Sequence, residues 1–212
     1  MREERILKSS YDVYLESKVI ENKSDILAVI LPGIGYTLDR PILDYSKKLC
    51  LELGYDVLPI EYGFQAARKE FDKEKFQIVV DETMELISMS LNEKYKKIIF
   101  IGKSIGTVIQ RIIQKKIISE GSHKYIFINV YFTPVDKTVE LGIDKESLVF
   151  TGTKDPLIKK GSVEIIEKMK NVNLVKIHNA DHSLNIKGDV VNSTKIIMEV
   201  IQREKEYLSR NL

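Results

Sequence analysis

The chain has 212 residues, 43% of them hydrophobic, with 33 Lys and Arg against 31 Asp and Glu. That length supplies one good core, so a single domain over 1–212 is expected; a net charge of +2, with both signs mixed, gives no reason to expect a nucleic-acid partner. One cysteine, Cys50, excludes an internal disulfide framework, and no apolar run approaches the ~20 residues of a membrane span. The charged start is not followed by a signal-peptide core, so a soluble, cytoplasmic protein is expected.

Apolar, β-branched runs alternate with segments of helical spacing, the pattern of a mostly parallel sheet with helices on both faces. Val13 and Leu15 alternate with polar neighbours, which predicts a half-exposed edge strand over 11–20. A buried strand over 26–31 stops at Pro32-Gly33-Ile34-Gly35. Asp39 as N-cap, Pro41 in the first turn and Gly54 beyond the end frame a helix over 40–53. A strand over 55–60 follows, and then Phe76, Val79, Val80, Thr83, Met84, Ile87 and Leu91 keep helical spacing. Further strands are expected over 97–101, 125–130, 147–151 and 173–177, about seven in all, with a helix through Val163, Ile166 and Met169 before the last. A final helix carries Val190, Thr194, Ile197 and Ile201 on one face. The connection 132–146 is too short for a lid, which implies an open site suited to a small or surface-presented substrate.

Gly102-Lys103-Ser104-Ile105-Gly106 follows the apolar run Ile98-Ile99-Phe100-Ile101 and opens an apolar-periodic segment reaching Ile117. Strand, sharp turn and helix with a serine at the apex is the context of a nucleophile elbow, G-x-S-x-G, whose glycines let the backbone turn tightly enough to present the hydroxyl. Gly102-Lys103-Ser104 fails as the tail of a phosphate-binding loop, because Lys97 stands where that motif needs its first glycine. The extended Ile-Ile-Phe-Ile run also cannot turn successive N–H groups inward. Gly33-Ile34-Gly35, with Glu61 ending the next strand, is a weak dinucleotide pattern, since Leu38 occupies the third glycine's place.

A serine nucleophile needs a base within hydrogen-bond reach and a third group orienting that base. In a doubly wound sheet such groups gather at the carboxyl ends of the strands. Asp155, in Gly152-Thr153-Lys154-Asp155-Pro156, lies just past the 147–151 strand; His182, in His178-Asn179-Ala180-Asp181-His182-Ser183, lies past the 173–177 strand. Asp136, after Thr133-Pro134, is a second candidate acid. His123 precedes a strand and reads as a solvated loop residue, His178 reads as structural, and Asp181 as a cap or brace of its loop. Three histidines without ligand spacing offer no metal site, and no cofactor is expected.

In these features the chain resembles the α/β-hydrolases, in particular the small lidless kind that includes dienelactone-hydrolase-like and carboxylesterase-like proteins. The resemblance covers nearly everything after Ile26 and rests on Leu31-Pro32-Gly33, the elbow, the Asp155 loop and Ala180-Asp181-His182-Ser183, with Ser, Asp and His in that chain order. It implies an α/β-hydrolase fold without a cap domain, Ser104 as nucleophile, His182 as general base and then acid, and Asp155 as orienting carboxylate. It also implies an oxyanion hole built from the backbone N–H groups of Ile105 and Ile34. Pro32-Gly33 replaces the commoner His-Gly, which leaves Gly35 as the alternative second donor.

The activity so implied is cleavage of a carboxylic ester or related acyl bond of a small molecule through an acyl-enzyme; the alternative is a non-catalytic binding or scaffold protein on the same fold. Lys103 and Glu61, near the expected mouth, read as solvated or paired with each other, with attraction of an anionic substrate by Lys103 as the functional alternative. Tyr36, Tyr62, Phe64, Tyr131 and Phe132 lie past strand ends and either wall an acyl pocket or seal the upper edge of the core. Cys50, beside Leu49 and near Leu53, reads as packing.

Overall fold

The computed structural model describes residues 6–120, 125–143, 146–170 and 172–210. Strands β1 (Ile6–Lys8) and β2 (Tyr14–Glu16) form a separate antiparallel pair. β3 (Ile26–Leu31), β4 (Asp56–Pro59), β5 (Lys97–Lys103), β6 (Ile126–Phe132), β7 (Ser147–Gly152) and β8 (Val172–Ile177) make a six-stranded sheet in the order β4-β3-β5-β6-β7-β8. Every pair in that sheet is parallel. The chain steps outward from β3 to β4, then returns past β3 to β5. The carboxyl ends of β3 and β5 therefore flank the switch point where such sheets hold their ligands.

The helices are α1 (Pro41–Glu52), α2 (Gly63–Ala66), α3 (Phe76–Ser90), α4 (Ile105–Ser119), α5 (Asp136–Glu140), α6 (Lys160–Glu167) and α7 (Val190–Arg210). All residues of β3 and β7 are buried, as a parallel strand covered on both faces requires. Alternation sends successive residues of β3 and β5 to opposite cores. Ala28, Ile30, Ile99 and Ile101 pack with Ile42 and Leu43 of α1 and Ile196 and Val200 of α7. Leu27, Val29, Ile98 and Phe100 pack with Val80 and Ile87 of α3 and Ile109 and Ile113 of α4. Each such aliphatic or aromatic side chain contributes roughly 1.5–3 kcal/mol by leaving water. Among the described residues no helix is long and apolar enough to cross a membrane.

Three local expectations change. The segment 11–20 is a strand only over Tyr14–Glu16 and pairs with β1; it touches the main sheet at one bridge, Ile20 to Val57. Asp39 does not cap α1, whose N-cap position is Arg40 and carries no side-chain cap; Asp39 instead accepts a hydrogen bond from the Thr37 hydroxyl. Pro41 does hold the first turn, and Gly54 follows the helix end at φ 82°, where a residue without Cβ is unstrained. The buried stripe of α7 is Ser193, Ile196, Val200, Glu204 and Leu208, rotated from the expected one, and Val190 is 79% exposed.

Candidate active site

β5 ends at the elbow, and the turn that follows is strained in the way a protruding nucleophile needs. Ser104 has φ 55° and ψ −115°, a conformation costly for a residue with a Cβ. Its main chain is held by its N–H donating to the Phe132 carbonyl at 3.0 Å and its carbonyl accepting from Thr107 N–H at 2.9 Å. Gly106 lets α4 press against the loop after β3: a Cβ there would stand 2.4 Å from the Leu31 carbonyl oxygen. Gly152 does the same for the other half of the site, since its Cβ would stand 2.2 Å from the Ala180 carbonyl oxygen. Both close approaches bring loops from different strands together.

The three side chains singled out from sequence meet at this rim. His182 Nε2 lies 2.8 Å from Ser104 Oγ, and His182 Nδ1 lies 2.7 Å from Asp155 Oδ2. The Asp155 carboxylate is fully buried and the imidazole partly exposed. Asp155 Oδ1 accepts the Leu157 N–H at 2.8 Å, which fixes the carboxylate in its turn. Asp181 braces the histidine loop: its Oδ1 accepts the N–H groups of Ser183 at 2.8 Å and Asn185 at 3.0 Å. Asp136 stands elsewhere, accepting from Lys159 N–H and the Ser162 hydroxyl and pairing with the Lys159 ammonium, so it ties α5 to α6. Those donors hold its carboxyl below the usual range. His178 is exposed, and His123 lies outside the described residues.

The loop after β3 is held by its carbonyls. Tyr62 Oη donates to Pro32 O at 3.1 Å, and Gln65 Nε2 donates to Gly33 O at 2.8 Å and to Ile34 O at 3.4 Å. Gly33 N–H is used within the loop, by Tyr36 O at 2.9 Å. Among the described residues no hydrogen bond engages the N–H groups of Ile34, Gly35 or Ile105. Ile34 is 44% exposed. Gln65 was not singled out from sequence; its placement depends on α2 folding back over the β3 loop, which no local pattern encodes.

Lys103 is the largest departure from expectation. It is 1% exposed, neither solvated nor paired with Glu61, which is exposed. Its Nζ donates to the Thr133 hydroxyl and to the His182 carbonyl oxygen, and lies 4.9 Å from the Tyr36 ring centroid. Burial pulls its ammonium down to about 7, against the opposing pull of the Asp155 and Asp181 carboxylates. The signal was in the strand: Ile99, Ile101 and Lys103 share one face of β5, and that face is covered. Tyr62, Phe64, Tyr131 and Phe132 are buried and seal the core; Tyr36 is half-buried and its hydroxyl accepts the Ile42 N–H at 3.2 Å. Cys50 is fully buried among α1 core residues. Among the described residues no cluster of His, Cys, Asp or Glu could hold a metal ion. An open groove of about 430 Å³ lies on the flank between α1 and α7, and none of Ser104, Asp155 and His182 lines it.

Comparison with known proteins bears on this arrangement. Residues 25–208 match a family model described as an alpha/beta hydrolase domain. No curated protein matches the sequence. Among solved structures, a protein of unknown function from Agrobacterium tumefaciens, described as a candidate alpha/beta hydrolase, is 17% identical over 97% of this chain and 94% of its own, with a TM-score of 0.73. A serine hydrolase without a lid from Xanthomonas campestris is 12% identical over 98% and 93%, with a TM-score of 0.68. An esterase from Pyrococcus furiosus is 18% identical over 97% and 89%, with a TM-score of 0.66.

Proposed function

Since the chain belongs to the α/β-hydrolase family, we propose that it is a serine hydrolase that cleaves a carboxylic ester or related acyl bond of a small molecule. The observation that carries this is the unbroken relay from Ser104 Oγ through the His182 imidazole to the buried Asp155 carboxylate, at 2.8 and 2.7 Å. Such spacing lets the imidazole take the serine proton as Oγ attacks, with the carboxylate holding the ring in the right tautomer.

The steps follow from those contacts. Ser104 Oγ bonds to the acyl carbon while its proton passes to His182 Nε2. The carbonyl oxygen becomes an oxyanion that accepts from Ile105 N–H, at the start of α4 where the helix dipole favours negative charge, and from Ile34 N–H. Collapse expels the alcohol, which leaves with the proton from His182, and an acyl-Ser104 ester remains. Water then gives a proton to His182 and attacks the acyl carbon, and the released Ser104 recovers its proton as the acid departs. Each such oxyanion donor is worth roughly 2.7–4 kcal/mol in the transition state. None of these steps calls for a metal or cofactor.

The short connection after β6, whose described residues hold the five-residue α5, favours a small or surface-presented acyl group. A fluorophosphonate probe and a panel of short-chain esters test the reading. Wild type should be labelled and should turn over at least one ester, and Ser104→Ala should lose both by several orders of magnitude. Turnover that survives Ser104→Ala overturns the mechanism. A folded wild type that neither labels nor hydrolyses points to the binding or scaffold alternative.

A further inference from the structure

Lys103 is adjacent to the nucleophile in sequence, yet its ammonium is spent on the loop that carries the base. An ammonium out of water is costly unless its donors are met. Here they are met by the Thr133 hydroxyl, the His182 carbonyl at 2.6 Å and the face of the Tyr36 ring. The acceptors are unequal in what they control. Thr133 is fixed at the end of β6, its N–H donating to Phe150 O at 2.8 Å. The His182 carbonyl belongs to an irregular loop in which Asn179 and Leu184 both have φ 60°, and among the described residues Lys103 is its one hydrogen-bond donor.

We propose that Lys103 is a positioning residue for His182: anchored at Thr133, it holds the histidine's main chain at the height where the imidazole spans Ser104 and Asp155. Asp181 ties down the residues after His182, and Lys103 ties down His182 itself. One residue thus links the strand that presents the nucleophile to the loop that presents the base. The expectation that Lys103 attracts an anionic substrate is set aside, because its side chain is buried and its protons point at protein oxygens and a ring. The inference rests on the triad reading above. A shift of about 1 Å in a catalytic group costs on the order of 10²-fold in rate, so a brace acting only on a loop has large leverage.

The test uses the full chain with Lys103→Met and, as a change of the same tether with little loss of volume, Thr133→Val. Turnover is measured on an alkyl ester and on p-nitrophenyl acetate, normalised to the sites titrated by fluorophosphonate. A displaced imidazole fails chiefly where it must protonate a poor leaving group. Lys103→Met should therefore lower kcat on the alkyl ester by about 100-fold and on the aryl ester by about tenfold, with KM within about twofold. Thr133→Val should move both in the same direction, and the double variant should be no worse than Lys103→Met alone, as expected for one tether. Fewer titratable sites with per-site turnover unchanged on both esters mean a merely structural lysine and overturn the proposal; so does an unchanged alkyl-to-aryl ratio. The His182 ring nitrogen resonances, assigned with His182→Gln, provide an arm independent of turnover. They should shift in Thr133→Val and Lys103→Met, and identical resonances overturn the brace even if wild type hydrolyses no ester. In that last case the hydrolase reading fails separately.

Discussion

Lys103 and Glu204 are both removed from water, and burial pushes each toward its neutral form, but their partners differ. Lys103, at the carboxyl rim of the sheet, has two oxygen acceptors, an aromatic face and two nearby carboxylates. Glu204, between α7 and α1, has one partner: its Oε2 accepts from the Ser46 hydroxyl at 2.7 Å, while Oε1 is buried with none. Burial pushes the Glu204 carboxyl up to about 8, against a small opposing effect of the Ser46 hydrogen bond. The lesson is that burial of an ionisable group is not by itself a mark of function. At the rim the buried group is shared between β6 and the His182 loop; on the flank it has one partner and leaves an oxygen unmet.

The sharpest separation of the two regions should come from Asp155→Asn. An amide in place of the orienting carboxylate keeps the shape but favours the wrong imidazole tautomer, so kcat should fall by about 10⁴-fold. A melting curve recorded beside the kinetics should move little by comparison. If turnover falls less than tenfold, the rim does not work as proposed.

Glu204→Gln should do the reverse, raising stability and leaving turnover unchanged. The sign follows from linkage. Between the unfolded value of 4.5 and the folded value of about 8, the native state holds a proton that the unfolded chain has lost, so stability falls as pH rises through that window. Glutamine stays neutral and removes the falling limb, a gain at pH 8 of at most a few kcal/mol. Urea unfolding at pH 5 and pH 8 checks it: the difference between variant and wild type should grow with pH. A constant difference would mean that Glu204 does not stay protonated in the fold.

The smallest effect is expected from Asp136→Asn. This residue pins α5 to α6 at the surface and lies outside the relay, so turnover should stay within about twofold and stability should drop by about 1 kcal/mol or less. A large loss of turnover would move the catalytic acid from the β7 loop to the β6 loop.

Much of the site could be read from the chain because its parts are locally encoded. A buried strand, two glycines around a serine and a helix are consecutive in sequence, and the Asp155 and His182 loops each follow a recognisable strand. The parts that were misread depend on which elements cover one another. On α7 the apolar spacing alone points to Val190, Thr194, Ile197 and Ile201. The contact with α1 selects the neighbouring stripe, which buries Ser193 and Glu204 with Ile196, Val200 and Leu208. Lys103 read as solvated because lysine usually is; the cover over its end of β5 comes from a loop some eighty residues later.

By itself the sequence determined the succession of the sheet strands, the sharp turn at Ser104 and the places of Asp155 and His182 just past strand ends, since each depends on periodicity and turn chemistry within a few residues. Only the tertiary structure decided that Lys103 reaches the His182 carbonyl, that Gln65 holds the carbonyls of the β3 loop, and that Glu204 loses its water. Those outcomes depend on what lies across a contact, and a contact between distant segments exists only after the sheet and its helices have packed.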